Sequence, residues 1–350
     1  MQLHHGGDWM GYVRECGGMP LDFSASISPL PLPEGVRQAA FAALEGPQHY
    51  PDPLCRALRD RLSRLHGVPP EHILCGAGAA DLILRLALAV RPRRAMVLAP
   101  TFGEYKHALD LAGCRTEEFV LREEDGFAVT ERLLPHISPE LDLLFLCQPN
   151  NPTGRTVSRP LLEQIAARCT QCGVILALDE CFLDFLAEPA ACSLAGQVER
   201  CPNLVVFRAF TKFWGMAGLR LGYVLCGNAQ LLSRMYQSGQ PWPVSAPAQA
   251  AGAAALEDRT YGDALRTLIR TQRPVLTQGL SRLGCRVCPG EANFLLFYHQ
   301  DTQLCQKLRQ KGILLRDCSG FSGLGPGWYR TSIRTQAENQ ALLCALEEVM

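Results

Sequence analysis

Lys212 lies in the run RAFTKFWGMAGLRLGY (208–223), among Phe210, Phe213, Trp214 and Met216, in a chain that nearly dispenses with lysine. Only Lys106, Lys307 and Lys311 accompany it, against thirty arginines. Lys307 and Lys311 stand four apart in QLCQKLRQKG, the spacing of one exposed helix face. Lys212 instead follows an apolar run and is surrounded by aromatic residues. There desolvation lowers the ammonium pKa and frees an amine suited to condensing with a carbonyl. A second chemical residue is Asp179, at the end of the apolar stretch VILALD, where an unpaired carboxylate would be costly and a cationic or protonated-nitrogen partner is expected. A third is Asn151 in QPNNPTG (148–154), a turn of two asparagines, two prolines and a glycine that holds one amide in one orientation. Taken singly, each has a plainer reading: a salt-bridged lysine, a helix N-cap aspartate, an ordinary turn.

Together, and in this chain order, the three fit one ligand. Pyridoxal 5′-phosphate needs an amine for its aldehyde, a carboxylate for its ring nitrogen and a donor for its phenolic oxygen, which Lys212, Asp179 and Asn151 supply. Phe102, in APTFGEY, is placed to stack on the ring. A phosphate cradle is available in CGAGAAD (75–81), where a glycine turn enters a helix and the amides of Gly78, Ala79 and Ala80 stand free, with Thr211 and Arg220 as side-chain contributors. Lys212 and Asp179 are thus the catalytic candidates.

These residues need a frame that gathers them. Apolar runs at 95–100, 141–147, 174–179, 204–210 and 221–226 read as strands, and amphipathic stretches at 104–113 and 159–169 as helices. Strands apolar on both faces and joined by helices indicate an α/β fold, a mostly parallel sheet covered on both sides. Ligands then gather at the carboxyl ends of the strands, where the candidate residues fall. Beyond QPWPVSAP a helical region from about 248 to 283 precedes the strand ANFLLFY, a helix near 301–311, and the runs GILLRD and WYRTSIRT. The reading is an N-terminal arm (1–35), too rich in Ser and Pro for a regular element, that packs on the small domain and the site. A large cofactor-binding domain (36–247) and a smaller α+β domain (248–350) complete the chain.

Composition narrows the function. A chain 47% hydrophobic and 19% charged is globular, and a formal net charge of zero supplies no surplus for nucleic acid or an anionic membrane. No basic-then-apolar leader is read at the start, and the most apolar helix candidate, DLILRLALAV, is about half a membrane span. Sixteen cysteines without an export signal point to free thiols in a reducing, cytoplasmic setting. The two C-x-x-C pairs, Cys169/Cys172 and Cys285/Cys288, lie too far apart in sequence for a ribbon-type zinc site, and no metal is expected.

The motifs NNPTG, DE after an apolar strand and TK-x5-GLRLGY, in that order, resemble the aspartate-aminotransferase-like, fold-type I family of pyridoxal-phosphate enzymes over essentially the whole chain. The likeness is to its histidinol-phosphate aminotransferase branch. More narrowly, HGGD (5–8), LDFSASISPL, ECFLDF and PWPVSA resemble the L-threonine-O-3-phosphate decarboxylase family of cobalamin biosynthesis. The resemblance implies a substrate that is both an amino acid and a phosphate. Arg330 would hold its carboxylate; Arg316 and His5 would take the phosphate, with Asn151 beside them and Arg334 a further contact or a surface charge. It also implies a homodimer, in which Tyr50 of HYPD crosses to the other subunit's cofactor phosphate. Decarboxylation is the expected reaction, with transamination of histidinol phosphate or a related amino acid as the alternative. Ala80 and Ala209 stand where the family usually has hydroxyls, each lost contact being worth roughly 1–3 kcal/mol of phosphate binding. Ser26 and Ser28 replace asparagines.

Overall fold

The computed structural model describes residues 5–46 and 48–350; the first four residues of the expected arm lie outside them. Strand β1 (Leu21–Asp22) belongs to the arm. Seven strands form the large sheet: β2 (Ile73–Gly76), β3 (Arg94–Ala99), β4 (Arg115–Val120), β5 (Leu143–Cys147), β6 (Ile175–Asp179), β7 (Leu204–Ala209) and β8 (Gly222–Leu225). Their spatial order is β2-β8-β7-β6-β5-β3-β4, and β8 alone runs against the others. The chain leaves β3 towards β4 and later leaves β5 towards β6. Strand order therefore reverses between β3 and β5, the place where such sheets open a crevice at their carboxyl ends.

The sheet is buried on both faces because its strands are apolar at consecutive positions. Met96, Leu98, Leu144, Leu146, Leu176, Leu178 and Val206 enter one core cluster. The intervening Ala95, Val97, Leu143, Phe145, Ala177, Val205 and Phe207 enter another. The period of two along each strand delivers alternate side chains to opposite faces.

The C-terminal part is built on β9 (Arg286–Val287), β10 (Phe294–Tyr298), β12 (Arg316–Asp317) and β13 (Trp328–Ser332), an antiparallel sheet ordered β12-β13-β10-β9, with its own core around Phe294, Phe297, Tyr329 and Leu342. Between β10 and β12, β11 (Ile313–Leu314) pairs in parallel with β1, which ties the arm to this part of the molecule. The arm is more regular than its composition suggests: Trp9–Cys16 is a helix, N-capped by Asp8, whose carboxylate accepts from Gly11 N. The helical region after 248 is two helices, Ala246–Ala255 and Tyr261–Arg282. Asp258 breaks it by accepting from Thr260 N at 2.8 Å and Tyr261 N at 2.9 Å, which starts the second helix afresh.

Candidate active site

A cavity of about 400 Å³ opens at the carboxyl ends of the large sheet and is closed on the other side by Arg316, Phe321 and Arg330 of the C-terminal part. Asp179, the last residue of β6, reaches it with both oxygens engaged. Oδ2 accepts from the Tyr105 hydroxyl at 2.6 Å and Oδ1 from Cys181 N at 2.9 Å. Tyr105 is fully buried, its ring stacked on Phe145 at 4.8 Å and set edge-on to Phe102 at 5.5 Å. Burial and the neighbouring Asp179 charge push its phenol well above the ordinary tyrosine range, so it stays a donor.

Lys212 follows β7 in the short helix Phe210–Phe213 and lines the cavity. Desolvation first, then the Arg330 and Arg220 charges, lower its pKa to about 8. Asn151 is held by the turn before it. Asn150 anchors that turn by donating to Pro100 O at 2.9 Å and accepting from the Thr101 hydroxyl at 2.8 Å. Gln148 clasps Val157 through both ends of its amide, accepting at 2.8 Å and donating at 3.0 Å. The Asn151 side chain is therefore free to face the cavity, where its Oδ1 accepts from Arg330 Nη1.

The cradle forms where β2 enters the helix Ala79–Val90. Gly78 has φ +90°, and a Cβ there would lie 2.9 Å from Arg220 Nη2, so glycine lets the guanidinium come in. Ala79, Ala80, Thr211 and Arg220 line the same end of the cavity, with Ala79 and Ala80 in the helix's first turn. Phe102, His5, Arg316 and Phe321 line the cavity too, and His5 rests against Phe102 at 5.8 Å between ring centres. The Arg316 guanidinium sits over the Phe321 ring at 5.5 Å. Arg330 is buried, donates to Ser24 O at 3.0 Å and to Asn151, and has its pKa lowered to about 10 by desolvation.

Two expected residues lie elsewhere. Arg334 pairs with Glu338 at 2.6 Å and donates to Asp22 O at 3.2 Å, outside the cavity lining. Strand β13 has ended, and Thr335 begins a capping box with Glu338 that draws Arg334 with it. Tyr50 is 78% exposed, stacked on Trp242 at 4.4 Å, and does not line its own chain's cavity. Of the two serines in asparagine positions, Ser26 lines the cavity, whereas Ser28 accepts from the Tyr261 hydroxyl at 2.7 Å. Sequence reasoning missed Tyr105 and Glu104, although APTFGEY places both within three residues of Phe102. It also missed Cys147 and Cys181, which line the cavity beside Asp179.

A lysine, an aspartate and an asparagine just past strand ends thus meet in one crevice, with a glycine-opened helix start beside them. Comparison with known proteins gives the class. Residues 19–346 match the family model for aminotransferase class I and II, and the chain belongs to that family, which implies pyridoxal phosphate. It is 39% identical to the threonine-phosphate decarboxylase of Salmonella typhimurium over 99% of this chain and 96% of that one. It is also 35% identical to a histidinol-phosphate aminotransferase of Roseiflexus castenholzii over 95% of this chain and 91% of that one. The solved structure of the histidinol-phosphate aminotransferase of Clostridium acetobutylicum superposes with a TM-score of 0.87 at 24% identity, covering 94% of this chain and 98% of that one, a likeness of fold. Among the described residues no helix is long and apolar enough to cross a membrane.

Proposed function

We propose that the protein holds pyridoxal phosphate on Lys212 and decarboxylates L-threonine O-3-phosphate, giving CO₂ and 1-amino-2-propanol O-2-phosphate for corrinoid synthesis. The cofactor fits the residues present. Asp179 is a buried carboxylate with its two oxygens already oriented, and the Gly78–Arg220 approach leaves a cationic group at a helix start. Phe102, Asn151, Thr211, Ala79 and Ala80 would complete its contacts, with Tyr50 of a second copy reaching the phosphate. When bound, pyridoxal phosphate supplies a sink for the electrons of a bond broken at the substrate's α-carbon. Asp179 would face the cofactor's ring nitrogen and keep it protonated. Lys212, with its pKa lowered to about 8, has a far larger free-amine fraction near neutral pH than an ordinary lysine and can carry a proton to or from the α-carbon.

The observation that carries the choice of substrate is Arg330. Its guanidinium is buried and, among the described residues, donates to the neutral oxygens of Ser24 and Asn151, an arrangement that suits an incoming anion. Arg316 and His5 line the same cavity. A substrate with two anionic groups, a carboxylate and a phosphate, answers this arrangement, whereas an amino alcohol phosphate would leave one buried cation unmatched. The 39% identity to a decarboxylase of that name supports the reading. Transamination is the second reading, favoured by the 35% identity to a histidinol-phosphate aminotransferase.

One assay separates them. The protein is incubated with pyridoxal phosphate and L-threonine phosphate, with and without a keto acid, and CO₂ and aminopropanol phosphate are measured. CO₂ released without the keto acid is expected. Turnover that requires the keto acid and releases no CO₂ would establish transamination instead. Lys212→Ala should lose the visible absorbance of the bound cofactor.

A further inference from the structure

We propose that Glu104 is a positioning residue for the phosphate end of the site, acting through His5 to clamp the N-terminal arm across the cavity. The proposal rests on the reading that the substrate carries a phosphate. His5 Nε2 lies 2.7 Å from Glu104 Oε1, a contact between segments 99 residues apart, and both residues line the cavity alongside Arg316 and Phe321. With Nε2–H donating to Glu104, Nδ1 is the ring nitrogen left for the substrate, and it donates to a phosphate oxygen when the imidazole is doubly protonated. Glu104 itself is poorly suited to touch that substrate, because a carboxylate next to a phosphate repels it. Its presence at this end of the cavity is explained by what it does to His5.

The two sides of the contact differ in firmness. Glu104 opens the helix Glu104–Leu111, and its neighbour Tyr105 is fully buried with its hydroxyl on Asp179 at 2.6 Å. The turn that carries Glu104 is therefore fixed to the floor of the site. The arm is fitted to it residue by residue. At Gly6 a Cβ would lie 2.4 Å from Ser24 O, and Gly7, with φ +94°, donates its N–H to Ser24 Oγ at 2.8 Å. Asp8 then caps the helix that follows. His5 belongs to this strap; its side chain is 54% exposed and it rests against Phe102 at 5.8 Å between ring centres. An exposed pair of this kind adds little to global stability, so the consequence of Glu104 lies in where it puts His5.

A double-mutant cycle on the cofactor-loaded, full-length protein tests this: wild type, Glu104→Gln, His5→Ala and the double variant, each with L-threonine phosphate and with unphosphorylated L-threonine. Glu104→Gln should raise KM for the phosphate ester about tenfold, the effect of losing one charge-assisted contact, with kcat nearly unchanged. Added to His5→Ala it should do no further harm, since both remove the same contact. Full additivity, or an equal effect on L-threonine, would overturn the proposal. Limited proteolysis without substrate gives a second readout. Cleavage between residues 5 and 20 should quicken in Glu104→Gln and in His5→Ala, and an unchanged rate in either would also overturn the clamp. A wild type that shows no preference for the phosphate ester would instead overturn the functional reading, and proteolysis would still decide the clamp.

Discussion

At the scale of single residues, the chemistry rests on lowering the pKa of one amine in the cavity that Asp179 also lines. Lys212 is lowered to about 8 by desolvation and by Arg330 and Arg220, so its free-amine fraction grows as pH rises through that value. The sign for stability follows. Below about 8 both folded and unfolded chains carry the proton, and the folded chain bears the full cost of a buried ammonium. Between there and the ordinary lysine range the unfolded chain binds the extra proton, so stability of the cofactor-free protein rises with pH. Reductive methylation of Lys212, followed by mass spectrometry, should show a midpoint near 8; a midpoint in the ordinary lysine range would contradict this environment. Tyr105→Phe removes the hydroxyl that holds Asp179 Oδ2. Cofactor binding should weaken about tenfold in equilibrium dialysis, and the absorbance of the bound cofactor should shift, while folding survives because the ring keeps its stack on Phe145. Lys212 and Asp179 were legible because each is an unusual residue for an apolar setting, and Asn151 only through its order with them. Tyr105 was not, since a tyrosine in a helix's first turn is commonplace and only the fold shows what its hydroxyl meets. For Arg334 the sequence leaves a contact and a surface charge open, and the structure pairs it with Glu338 just beyond the end of β13 at Ser332.

At the scale of elements, the site depends on how closely β8 and the cradle approach. A Cβ on Gly222 would lie 2.8 Å from Ala79 N, and one on Gly78 would meet Arg220 Nη2 at 2.9 Å. Gly78→Ala combines that intrusion with a left-handed φ of +90°, a conformation that costs a side chain about 1–2 kcal/mol. We expect affinity for pyridoxal phosphate to fall at least tenfold, while the weaker binding of pyridoxal, which lacks the phosphate, changes little. An equal loss for both would place Gly78 in the fold at large and not in phosphate binding. The central strands were readable because a strand covered on both faces is apolar at every position, as LLFLC in β5 is. The edge strand β4, RTEEFV, carries charges on its exposed positions and has no apolar run to reveal it. The two-residue pairing of β1 with β11 is equally silent in sequence, since a parallel contact across almost the whole chain leaves no local pattern.

At the scale of the whole molecule, Tyr50 is the residue whose proposed role a single chain cannot perform. It stacks on Trp242 outside its own cavity, and the surface nearby in sequence also exposes Phe41, Leu44 and Leu54. Apolar groups gathered in this way belong to surfaces that associate. In the homodimer proposed here, Tyr50 of one copy serves the cofactor phosphate of the other, so each site is completed in trans. Sedimentation should then give a particle of twice 38.4 kDa. A sharper test uses two damaged chains. Lys212→Ala alone should be inactive, and Tyr50→Ala alone should bind the cofactor too weakly to work at limiting pyridoxal phosphate. Co-expressed, they form mixed dimers in which the Lys212-bearing site faces an intact Tyr50 from its companion, while the other site is dead. Random pairing makes about half the dimers mixed, with one good site in two, so about a quarter of wild-type activity should return at limiting cofactor. If Tyr50 acted within its own chain, every site possessing Lys212 would lack its tyrosine, and mixing would restore nothing.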